Sequence, residues 1–137
     1  MNKTLAALLL ALTITAASPN QRAHAAQPAP YIDESGYDGD LLACIKLINL
    51  NLAYLNAGDS AANKQLLTSN YKAAFEDFTP DYTITEAKLR NVNKTTSGDY
   101  IAYVDVDSKM KKKPMIATIT YVFKRENDMW LIDKSSR

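Results

Sequence analysis

The stretch Met115–Lys134, MIATITYVFKRENDMWLIDK, decides the fold. From Met115 to Arg125 it is a run of β-branched and aromatic residues, the types that suit a pleated, half-buried surface. Asn127 and Asp128 tolerate positive φ, so they predict a tight hairpin turn. Met129–Lys134 then returns as a last strand. Upstream, Lys109–Pro114 is a charged connector, and Tyr100–Asp107 alternates with period two. Tyr100, Ala102, Val104 and Val106 fall on one face, and Ile101, Tyr103, Asp105 and Asp107 on the other. Ser97-Gly98-Asp99 is a turn signal, and Tyr82–Val92 is a further strand. Successive strands joined by short turns make an antiparallel meander.

Before Pro80 the period is helical. Leu41, Ile45, Ile48, Leu52 and Leu55 form a stripe at helical spacing, which predicts a helix over 41–57. Asp40 stands at the N-cap and Gly58 at the position after the last turn. Leu41, Cys44, Ile45, Leu47, Ile48, Leu52 and Leu55 share one broad arc, with Asn51 inside it. Lys46, Asn49, Ala53 and Asn56 lie opposite. A second helix runs from Ala61 to Leu67 or beyond, behind an Asp59-Ser60 cap. Tyr71–Phe78 has helical spacing and ends before Pro80. Helices first and a meander second predict the α+β class, with N-terminal helices packed on a curved antiparallel sheet of about four strands.

The first residues read differently. Lys3 supplies a positive n-region, Leu5–Ala17 is an apolar run of 13 residues, and Ala23-His24-Ala25 is a small-x-small cleavage site. This order is that of a secretory signal peptide. The run is short of the roughly 20 apolar residues that span a bilayer, so no stable membrane anchor is expected. The domain expectation is a signal peptide over 1–25, a flexible Pro-, Gly- and acid-rich leader over 26–39, and one α+β domain over 40–137. Cleavage after Ala25 is preferred to cleavage after Ala17. The expected location is periplasmic or secreted.

Export changes the chemistry. Lys3 and Arg22 leave with the signal and no acid does, so the +1 charge of the full chain becomes −1. That balance offers no electrostatic reason to expect nucleic acid. The only histidine, His24, leaves too, which excludes a histidine general base, a Ser-His-Asp triad and a histidine-ligated metal. No cofactor is expected. Cys44 is the only cysteine. Leu41-Leu42-Ala43-Cys44 spells a lipobox, but the apolar run that one requires lies far upstream, so Cys44 reads as a buried thiol on the first helix.

The long first helix, the shorter helical segments and the closing hairpin Tyr121–Asp133, with Trp130-Leu131-Ile132-Asp133 after the turn, resemble the nuclear transport factor 2-like superfamily, also described as cystatin-like. The resemblance covers Asp40–Ser135. It implies a cone of sheet and helices with a pocket beneath helix one. Enzymes of the superfamily use an Asp or His in that pocket, and the missing histidine weighs against an enzyme here.

Several residues are candidates for contact with a partner. Asn51 either lines the pocket and fixes a ligand by its amide, or bonds to backbone or water at the edge of the arc. Asp105 and Asp107, two apart on one strand face, are either an acid–base pair or solvated charges. Tyr103, Tyr121 and Trp130 carry apolar area with a polar tip, suited to interfaces and cores alike. Lys111, Lys112 and Lys113, with Lys109, either touch an acidic surface or solvate a hairpin tip. The function expected is a small exported non-catalytic protein-interaction module of inhibitor or immunity type. The alternatives are a carrier of a small apolar ligand, with Asn51 and Trp130 near the pocket, and a histidine-free hydratase or isomerase using Asp105 or Asp107.

Overall fold

The structure, a computed structural model, describes residues 30–137. The expected signal peptide and residues 26–29 of the leader lie outside the described residues. Among the described residues three helices precede four strands: α1 (Gly39–Ala57), α2 (Ser60–Lys64), α3 (Ser69–Ala74), β1 (Thr83–Lys94), β2 (Tyr100–Met110), β3 (Lys113–Glu126) and β4 (Met129–Ser136). The strands form one open antiparallel sheet in the order β1-β2-β3-β4. The α+β class and the four-strand meander follow the sequence reading.

Bulges bend the sheet. The β1–β2 register shifts between Ile84 and Glu86 and again between Leu89 and Asn91, and the β3–β4 register shifts between Val122 and Phe123. Each extra residue kinks its strand and adds twist, so the sheet curves around α1. The concave face supplies Ile84, Ala102, Val104, Val106, Ile119, Tyr121, Phe123 and Ile132 to the core, and α1 supplies Cys44, Ile45, Ile48 and Leu52. Alternation in β2 is complete: Ala102, Val104, Val106 and Ser108 are buried, and the residues between them are not.

Turn chemistry sets the register. Asn127 and Asp128 both have positive φ, as the hairpin turn requires. The connector expected over Lys109–Pro114 is instead mostly strand. The turn is only Lys111-Lys112, both in the left-handed region (φ 49° and 68°). Segment 66–68 runs beside β4, where Ile132 N–H donates to Leu66 O (2.8 Å) and Thr68 N–H to Ile132 O (2.9 Å). These bonds cover part of an edge that would otherwise be open to another chain.

Three expectations need correction. First, α1 begins at Gly39 with Asp38 at its N-cap, and Asp38 makes no side-chain capping bond. Asp40 lies in the first turn, where its carboxylate accepts from the Trp130 indole (3.0 Å) and from Arg125 (3.0 Å). Second, α2 and α3 are each little more than a turn. The chain leaves α3 at Phe75 in extended conformation, and Tyr71, Phe75 and Phe78 meet edge to face.

Third, residues 30–38 of the expected flexible leader pack on α1. Ile32 is 6% exposed and joins the core. The Asn49 amide grips the Ile32 peptide unit: Oδ1 accepts from Ile32 N–H (2.8 Å), and Nδ2 donates to Ile32 O (2.9 Å). Asn56, two turns further along the same side of α1, does the same to Ile84 at the start of β1 (2.6 and 2.9 Å) and also meets the Tyr31 hydroxyl. The side of α1 expected to face solvent therefore anchors two other segments, and Asn49 is buried.

Candidate functional site

Asn51 projects from α1 toward the sheet and is 5% exposed. Its Oδ1 accepts from the Tyr121 hydroxyl of β3 (2.7 Å), and its Nδ2 donates to Asn63 Oδ1 in α2 (2.7 Å). Tyr121 and Asn63 are buried too, and Tyr121 stacks on Phe123. A buried amide without partners would cost roughly 1–3 kcal/mol, so this chain of bonds is what allows three polar groups inside the core. Burial pushes the Tyr121 hydroxyl well above the ordinary tyrosine range, so it stays protonated and able to donate.

Asn51 and Asn63 form the floor of a pocket of about 200 Å³ between α1, α2, α3 and the sheet. Leu55, Leu67, Tyr71, Phe75, Tyr82 and Ile119 form its walls, and Ser135, Ser136 and Arg137 stand at its edge. Tyr71 hydrogen-bonds to Ser135 Oγ (2.9 Å), tying α3 to the end of β4. The Arg137 guanidinium lies 4.3 Å from the centre of the Tyr82 ring, a cation–π contact. A cavity of about 150 Å³ takes benzene, so this volume suits a molecule of about eight non-hydrogen atoms.

Asn51 lines the pocket, and its side chain bonds to the side chains of Tyr121 and Asn63. Tyr121 shares the network from beneath. Trp130 is elsewhere: it sits against Asp40 and Tyr100, with Arg125 over its ring. Asp40 and Asn51 are about three helical turns apart, or ~16 Å along α1. The expected pairing of Asn51 with Trp130 at one pocket is therefore corrected.

Asp105, Asp107 and Tyr103 lie on the outer, convex face of β2. Asp105 accepts from Arg90 (3.0 Å) and Thr118 (2.8 Å). The Thr118 hydroxyl first, then Arg90, holds its carboxyl below the usual range. Asp105 and Asp107 line a recess of about 190 Å³ with Glu86, Ala87 and Lys88, and a carboxylate kept ionised is unsuited to general-acid work. Lys111 and Lys112 line a shallow groove with Tyr82, Thr83, Thr85 and Lys109, and Asp81 lies in the same groove. Lys113 does not line it.

Cys44 is 1% exposed. Burial pushes its thiol up to about 12, the reverse of what a reactive cysteine needs. Among the described residues no cluster of three or more His, Cys, Asp or Glu is placed to hold a metal. No helix among them is long and apolar enough to cross a membrane.

Sequence reasoning missed Asn63, Tyr71, Tyr82 and Arg137 as pocket residues. Asn63 and Tyr71 belong to very short helices, and Tyr82 and Arg137 lie just outside β1 and β4, where periodicity carries no signal.

No protein-family model matches this chain, and no curated protein matches it. Solved structures do. One is the solution structure of a SEC-C motif containing protein from Rhodopseudomonas palustris (TM-score 0.57, 8% identity, 66% of this chain and 74% of that one). Another is a nuclear transport factor 2-like protein involved in plasmid conjugation (TM-score 0.58, 13% identity, 73% of this chain). This chain covers 39% of the conjugation protein. The fold is nuclear transport factor 2-like. At these identities the likeness concerns fold alone.

Proposed function

We propose that this is an exported, non-catalytic binding protein whose ligand is a small, mostly apolar molecule held beneath α1. The observation that carries the reading is the pocket of about 200 Å³, with an aromatic and aliphatic wall over a buried amide floor. Small-ligand sites combine these features: apolar lining for affinity and a few convergent polar groups for orientation. Among the described residues no carboxylate side chain lines this pocket, and Asp105 and Asp107 line a separate recess, which supports binding over hydration or isomerisation in this pocket. Export rests on the signal-peptide pattern of residues 1–25.

The test is an NMR titration of the protein with benzyl alcohol. Resonances of Leu55, Leu67 and Ile119 shift on binding, and Leu55→Trp, which fills the pocket, abolishes the response without loss of the β-sheet circular dichroism signal. If those resonances stay unmoved by probes of this size, the reading fails.

A protein-interaction role is the second reading. It is favoured by Ile116, which is 79% exposed on the convex face that also carries Tyr103, Asp105 and Asp107. Native mass spectrometry of material from the producing cell separates the two: a bound protein supports this reading, and a small added mass supports the first.

A further inference from the structure

We infer that the pocket selects small organic anions, an apolar or aromatic body carrying a carboxylate or similar acid group. This rests on the pocket-binding reading above and names its ligand class.

Three observations carry it. The first is the direction of the buried hydrogen-bond chain. Tyr121 donates to Asn51, and Asn51 donates to Asn63 Oδ1. The chain therefore ends on the Asn63 Nδ2 group, which has no partner among the described residues. Asn63 is 1% exposed, and no sealed side-chain polar atom among those residues is left unpaired. Asn63 lines the pocket, where its Nδ2 group is the N–H donor left for a ligand. A ligand must bring an acceptor to it.

The second observation is charge. Among the described residues Arg137 has the only charged side chain lining the pocket, and no Asp or Glu side chain does. Its guanidinium rests on the Tyr82 ring and makes no salt bridge among the described residues. A planar guanidinium with unused donors matches a carboxylate in shape and charge.

The third is the surroundings. Tyr82 also lines the neighbouring groove, where Lys109, Lys111 and Lys112 outnumber Asp81. This places a net positive field beside the mouth, which raises the local concentration of anions and speeds their entry. Floor, mouth and approach therefore favour the same ligand charge.

The experiment compares three probes of similar size: benzoate, benzyl alcohol and benzylamine, titrated into the protein at neutral pH and read by NMR shifts of Leu55, Leu67 and Ile119. Benzoate is expected to bind at least about tenfold tighter than benzyl alcohol, and benzylamine weakest of the three. Arg137→Met, at an exposed position, brings the affinity for benzoate down to that for benzyl alcohol, the ratio of the two affinities in each protein being the readout. Added salt weakens benzoate alone. Equal binding of benzoate and benzyl alcohol, or tighter binding of benzylamine, overturns the anion preference while the pocket reading stands. An Arg137→Met variant that keeps full benzoate preference also overturns it. Binding of none of the three removes the pocket reading and this inference together.

Discussion

The Tyr121 hydroxyl donates to Asn51 Oδ1 at 2.7 Å, joining β3 to α1 across 70 residues of sequence. Tyr121→Phe removes the donor and leaves the amide oxygen unpaired in the core. The expected loss is about 1–3 kcal/mol. Asn51→Leu alone strands both Tyr121 and Asn63 and costs at least as much. The two variants combined lose less than the sum of the singles, because each already breaks the same bond. Urea unfolding of the four proteins measures this, and strict additivity would show the bond to be unimportant.

Asn49 holds the leader through the Ile32 peptide. Asn49→Ala frees that peptide and the Glu34 contact (2.9 Å). Hydrogen exchange at the Ile32 amide is expected to rise at least tenfold, with the β2 amides changing far less. A uniform change across the sheet would mean that the leader and the sheet unfold as one unit.

Lys111 and Lys112 both occupy the left-handed region, which side chains with a Cβ adopt at a cost. Asn and Gly take that conformation with less strain and suit this turn type. Lys111→Asn combined with Lys112→Gly is expected to stabilise the domain by about 1 kcal/mol. For a domain of about 100 residues this raises Tm by roughly 4–8 °C in a calorimetric scan. A fall in Tm would show that the lysines make a contact worth more than the turn strain.

The pH dependence has two limbs. The Trp130 indole first, then Arg125, lowers the Asp40 carboxyl, and Thr118 and Arg90 lower Asp105. These carboxyls bind protons less tightly in the folded than in the unfolded chain. Their contribution is complete above the ordinary value near ~4 and is lost as pH falls through the lowered value. Cys44 has the opposite sign. Its protonated thiol is favoured by folding, so its contribution is complete below the ordinary thiol value near ~8.5 and declines as pH rises toward about 12. The described residues contain no histidine, so the urea midpoint is expected to be flat between about pH 5 and 8. Cys44→Ala lowers the plateau by opening a small cavity but removes the first part of the alkaline limb. An unchanged alkaline limb in that variant would assign the decline to other groups, Tyr121 first among them.

Much of the fold was legible because it is written in local patterns. Val104 and Val106 alternate with Asp105 and Asp107, and only one register puts the valines inside. Asn127-Asp128 names its own turn. Ile45, Ile48 and Leu52 repeat at helical spacing. The site was legible only in part. Asn51 stood out because it broke an apolar arc, but Asn49 and Asn56 looked like ordinary solvent-facing amides. Their partners, Ile32 and Ile84, lie 17 and 28 residues away, and no local pattern announces such pairs.

The sequence by itself therefore determined the order of the elements, the class of the fold, and the absence of histidine after residue 24. These depend on residue type and on periods of two and 3.6, which hold along the chain whatever it later meets. Only the tertiary structure decided where Asn51 finds its partners, that Trp130 stands apart from the pocket, and that Arg137 meets Tyr82 at the pocket mouth. Those relationships join segments remote in sequence. They are set by sheet curvature and by the need of each buried polar group for a partner, neither of which any single segment encodes.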